Sequence, residues 1–166
     1  MKQKVNELGR TMLEMIGVLA IMGLIVYGAI IGIGFGVDMY KVTATYNDIE
    51  EISQTVTDLY SWGGSYDGNI GQVLCQKGVA PLECNSEIPS RWTQSRLEIN
   101  GMGNYFQIVL NKISKGACSR LSKMEYQNLC VAADGKGDPE LDCDQTGDTN
   151  RLVLYSFDED SAVLCR

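Results

Sequence analysis

The stretch from Met15 to Val37 contains no charged residue, and it governs what the rest of the chain can do. Wound as a helix at about 1.5 Å per residue it spans about 34 Å, enough to cross a bilayer core of about 30 Å. Lys2, Lys4 and Arg10 precede it, and Asp38, Asp48, Glu50 and Glu51 follow it. The positive-inside tendency therefore predicts a single pass with the N-terminus in the cytoplasm and residues 38–166 outside. One carboxylate, Glu14, stands at the head of this apolar run. A charge held in hydrocarbon costs at least a few kcal/mol, so Glu14 needs a partner or a purpose.

The rest of the composition narrows the function. The chain has 166 residues, 14 Lys and Arg against 21 Asp and Glu, and no histidine. An acidic balance argues against binding nucleic acid or anionic lipid surfaces. The lack of histidine removes the commonest general base and the usual catalytic zinc ligand, so no enzyme, no cofactor and no metal site is expected. All six cysteines, Cys75, Cys84, Cys118, Cys130, Cys143 and Cys165, lie beyond the apolar run, with no CxxC pair among them. An even number confined to the exported part points to disulfides made in an oxidising compartment. Cys75 and Cys84 flank a turn and form the first pair. For the others the favoured choice is Cys118 with Cys143 and Cys130 with Cys165, one of several connectivities the spacing allows.

Past Val37, Val42, Tyr46, Ile49, Ile52, Val56 and Leu59 recur every three or four residues among charged ones. This is one apolar stripe on an amphipathic helix. No proline interrupts residues 10–80, so a single helix is predicted from about Arg10 to Tyr60, stopped by WGG at 62–64. Its membrane half holds Gly28 and Gly32 in a GxxxG, a spacing that suits close helix–helix contact, and the alternating Gly32, Gly34 and Gly36 mark a weak stretch able to unwind locally. Then GQVLCQKG (71–78) predicts a short helix ended by Gly78, RLEINGMGNYFQIVLNKI (96–113) two strands around a glycine-rich turn, and KGACSRLSKMEY (115–126) another helix. RLVLYSF and SAVLC, divided by DED, predict a terminal hairpin. Helices and strands are segregated, so the fold class is α+β: a long N-terminal helix packed against a small antiparallel sheet head.

The stretch Gly9-Arg10-Thr11-Met12-Leu13-Glu14, leading into the uncharged run, resembles the class III signal of type IV pilins and pseudopilins. The likeness is specific over residues 1–60 and architectural beyond, and the short leader with IPSRW and a late cysteine-bearing helix looks more like the type IVb pilin branch. It implies a leader at 1–9, a membrane and assembly half at 10–37, and a periplasmic or extracellular head at 38–166. By the same resemblance, a prepilin peptidase cuts between Gly9 and Arg10 and methylates the new N-terminus at Arg10. Glu14 becomes the fifth mature residue and acts in assembly. The implied partners are further copies of the chain in a homopolymeric filament, the prepilin peptidase, and an inner-membrane assembly platform with its cytoplasmic ATPase. The implied location is the inner membrane before assembly and a pilus or filament at the cell surface or in the periplasm after it. Two positions depart from the family pattern: Arg10 stands where Phe, Met or Leu is usual, and Ile31 near where many pilins have proline.

The physics gives Glu14 the same role. Once cut, Arg10 bears an α-amine at a helix start, where the backbone already carries about half a positive charge. A Glu14 from an adjacent helix neutralises both charges and sets the register. Otherwise Glu14 is a helix-start residue satisfied by interfacial water. The loop with Asp134, Asp138, Glu140, Asp142, Asp144 and Asp148 matches no EF-hand spacing and reads as solvated rather than as a calcium site. The alternatives to a main filament subunit are a pseudopilin or minor pilin of a type II secretion or DNA-uptake system, and a single-pass anchor for an extracellular binding domain.

Overall fold

The computed structural model describes residues 3–78, 88–89, 95–133, 141–145, 147, 149–157 and 162–165, with side chains inside the first helix given at Met12 and from Glu14 onward. Helix α1 runs from Gln3 to Tyr60 and so begins earlier than Arg10. It continues as one helix through Gly32, Gly34 and Gly36. Two compact units divide the chain, Met1–Tyr40 and Lys41–Arg166, and α1 passes from one into the other.

In the second unit the chain follows Lys41–Tyr60 with strand β1 (Tyr66–Asn69), helix α2 (Ile70–Gln76) and strands β2 (Ile88–Pro89), β3 (Arg96–Gly103) and β4 (Phe106–Ile113). Helix α3 (Lys115–Leu121) and strands β5 (Leu129–Val131) and β6 (Asn150–Ser156) complete it. The sheet is antiparallel in the order β1-β3-β4-β6-β5, with β2 also paired to β3. The class is therefore α+β, with this half of α1 packed on a small antiparallel sheet.

Register follows from the alternation of side chains. Leu97 pairs with Leu110, Ile99 with Ile108 and Gly101 with Phe106; across the next ladder Leu110 pairs with Leu152 and Ile108 with Leu154. Paired residues share a face, so these form one apolar layer. Helix α1 lies on that face: Tyr60 meets Tyr66 at 4.9 Å between ring centres, and Tyr66 meets Phe106 at 5.3 Å. Val42, Ile49, Ile52 and Val56 of α1 are buried there as the stripe requires, with Tyr46 and Leu59 half-buried at its margin. Thr45 and Ser53 share the buried face, which the apolar pattern alone did not reveal.

The helix ends are set chemically. At the end of α1, Gly63 adopts φ +91° and its N–H donates to the Tyr60 carbonyl at 3.2 Å. Only glycine enters that conformation freely, which is why WGG stops the helix. Asn69 caps α2 by accepting from Gln72 N at 3.1 Å, and Ser114 caps α3 by accepting from Ala117 N at 3.3 Å.

Two sequence expectations are corrected, and two strands had no sequence signal. Helix α3 stops at Leu121, not near Tyr126, because the chain turns there: Met124 N donates to Leu121 O at 3.2 Å and the Tyr126 hydroxyl donates to the same carbonyl at 3.1 Å. Strand β1 arises from YDGN, a run poor in strand formers, and β5 from only three residues. The terminal hairpin does not form: β6 already has β4 on one edge and β5 on the other, and Cys165 bridges Ala132 instead.

Candidate functional site

The first unit contributes one feature. From Glu14 to Tyr40 every side chain is exposed, on all sides of the helix. These include Ile16, Leu19, Ile21, Leu24, Ile25 and Phe35. A soluble monomer rarely exposes a contiguous apolar patch beyond a few hundred Å², so a helix apolar all round belongs in lipid or among other helices. This single long apolar helix is a candidate membrane anchor. Glu14 sits at its start beside Met15, Val18 and Leu19, a carboxylate on an apolar surface. One turn apart and facing the same way, Gly28 and Gly32 have nothing within 4 Å of the place a Cβ would occupy, so their face is open to another helix. Gly9 and Arg10 lie within helical backbone, and the Arg10 side chain is outside the described residues.

The cysteines hold the second unit together. Cys118 is bonded to Cys143 with Cα atoms 5.4 Å apart, and Cys130 to Cys165 at 5.6 Å, the two pairs favoured from the sequence. The first ties α3 to the segment before β6, and the second ties β5 to the C-terminal turn. Cys75, on α2, is also disulfide-bonded. Cys84 lies outside the described residues, as do Asp134, Asp138, Glu140 and Asp148 of the acidic loop. Of that loop, Asp142 accepts from Gln145 Nε2 at 2.8 Å and Asp144 N at 3.1 Å, which with the nearby Arg151 holds its carboxyl below the usual range. Asp144 pairs with Lys115 at 3.3 Å. Among the described residues no group of three His, Cys, Asp or Glu could hold a metal ion.

The face of the sheet turned away from α1 carries a polar cluster that no sequence motif singled out. Arg96 pairs with Asn111, and Asn111 with Arg151, so three polar residues stand in a row across β3, β4 and β6. Asn111 donates to Glu98 at 3.2 Å and accepts from Arg151 Nε at 3.0 Å. Next to it Lys112 occupies a bulge in β4 with φ +58°, a left-handed conformation that costs a non-glycine residue about 1–2 kcal/mol. With Thr149 these side chains line a shallow cleft. The alternation of R and E in RLEIN was the available signal; the bulge at Lys112 left none.

Comparison with protein-family models, with curated proteins and with solved structures returned no match to this chain.

Proposed function

We propose that this protein is a structural subunit of a type IV pilus-like filament. It is inserted in the inner membrane by its N-terminal helix, cut after Gly9 by a prepilin peptidase, and polymerised with other copies through that helix. The observation that carries the reading is the combination on α1: a run exposed on every side from Glu14 to Tyr40, headed by one carboxylate and continuous with a half that is buried against the sheet. In a simple anchor Glu14 is no more than an interfacial residue satisfied by water. An assembling anchor has a use for it, because a bundle of such helices removes the apolar surface from lipid while each new α-amine meets a Glu14 from a neighbour. Open faces at Gly28 and Gly32 let helices approach closely. The disulfide-tied head suits a subunit displayed outside the cytoplasm. Its function lies in assembly, with no chemistry of its own, and its further partners are an assembly platform and a cytoplasmic ATPase.

Glu14→Ala tests this directly. The variant is expected to be processed after Gly9 and to remain in the membrane, while its incorporation into filaments falls at least about tenfold, the effect of about 1.4 kcal/mol of lost pairing. Normal incorporation would remove the pairing role.

A further inference from the structure

Within the uncharged run Met15–Val37 a single side chain carries a hydroxyl or amide group, that of Tyr27. It stands 12 residues after Met15 and 10 before Val37. About 18 Å and 15 Å of helix therefore separate it from the two ends, farther than a tyrosine side chain extends. Tyr27 is 67% exposed, and among the described residues its hydroxyl has no hydrogen-bond partner. A phenol O–H held in hydrocarbon needs an acceptor, and at this depth neither water nor a lipid headgroup supplies one. The acceptor has to come from another helix.

The geometry of the helix says where. Gly32 follows Glu14 by 18 residues, five full turns at about 3.6 residues per turn, so the two project from one face. Gly28 lies one turn before Gly32 on that face, and at both positions nothing stands within 4 Å of where a Cβ would be. The backbone there is uncovered, and each helical carbonyl keeps a second lone pair able to accept. Tyr27 lies about 140° around the helix from Glu14, so a chain cannot place its own tyrosine in its own groove. Each copy offers the groove on one side and the tyrosine on another.

The proposed pairing of charges fixes the height. When Glu14 of one copy is level with the Arg10 α-amine of the next, the second helix is shifted by four residues, about 6 Å. Its Tyr27 then comes level with Ile31 of the first copy. Helical side chains lean toward the N-terminus, which brings the ring between Gly28 and Gly32. We infer that Tyr27 of each copy seats in the Gly28–Gly32 groove of the neighbour whose Glu14 meets its amine, with the hydroxyl donating to a backbone carbonyl there. The inference rests on the proposed polymerising function and deepens it by naming a contact inside the helix bundle. Its two faces differ, so the contact is heterologous and passes from copy to copy instead of closing as a two-fold dimer.

The test uses two size-tagged versions of the full chain, expressed together in cells that assemble it and treated with a mild oxidant. Tyr27→Cys in one and Gly32→Cys in the other is expected to give the mixed cross-linked dimer on non-reducing gels. Tyr27→Cys with Ile30→Cys is expected to lose it, because position 30 lies at the same depth on the opposite side of the helix from Gly28 and Gly32. Tyr27→Phe, which keeps the ring and removes the hydroxyl, is expected to remain in the membrane while the polymer fraction falls about threefold. Equal cross-linking through positions 30 and 32, or assembly of Tyr27→Phe at the original level, would overturn the contact while leaving the filament reading intact. An unaltered chain that never forms polymers would overturn both.

Discussion

Tyr126 illustrates how much a single side chain decides in this molecule. Its ring packs on Tyr46 at 5.1 Å, its hydroxyl caps the last turn of α3 through the Leu121 carbonyl, and the Tyr46 hydroxyl donates to the Glu125 carbonyl at 2.9 Å. Nearby, Glu50 of α1 accepts from Gln127 N at 3.0 Å. These contacts fasten α1 to the turn after α3. Burial, with smaller contributions from Tyr46 and Glu50, pushes the Tyr126 phenol well above the usual tyrosine range. The folded state therefore holds this proton more tightly than the unfolded chain does. The stability that follows is fully present below about pH 10 and is lost as pH rises above it, because the unfolded chain then gives up its proton first. Denaturant titrations at pH 8 and pH 11 should show that fall, and Tyr126→Phe should reduce it at a cost of about 1 kcal/mol at neutral pH for the lost hydrogen bond. An unchanged alkaline fall in Tyr126→Phe would assign it to other groups. None of this was legible in KMEYQ, since the partners lie 77 and 79 residues away in sequence.

Among the elements, the strongest patterns in the sequence became the best-defined structure. The three-and-four spacing from Val42 to Val56 became the buried face of α1, and the β-prone core of 96–113 became the central hairpin. What escaped was structure imposed by neighbours. Strand β1, YDGN, has little strand propensity of its own and exists because β3 offers it an edge, with Tyr66 opposite Gly103 and Asn69 opposite Asn100. SAVLC looks like a strand, yet no edge of β6 is left for it. The junction of β1 and β3 depends on Gly101, where an added Cβ would run into the Tyr66 carbonyl and the backbone that follows. Gly101→Ala should therefore displace β1 and destabilise the head by about 1–3 kcal/mol, measured by chemical denaturation. Amide exchange should be fastest in residues 66–69, with β4 and β6 keeping their protection. Loss of protection throughout the sheet would mean that β1 is integral to the core and not an added edge.

At the scale of the whole molecule, the two units obey different rules. Among the described residues, 41–165 bury most of their apolar side chains in one core and are tied by disulfides. The helix from Glu14 to Tyr40 buries nothing internally, which makes it a candidate membrane anchor. The sequence was most informative here, because an uncharged run of that length suits a bilayer or a helix bundle and little else. It was least informative about the outer face of the sheet, where Arg96, Asn111 and Arg151 stand in one row only because the fold pairs β3, β4 and β6. The central claim is that the protein is processed into a filament subunit, and it is tested most directly by the intact mass and N-terminal sequence of the protein recovered from its native cells. The account predicts a chain that starts at Arg10 and carries one added methyl group. A chain that still begins MKQKVNELG in cells with an active prepilin peptidase would contradict it.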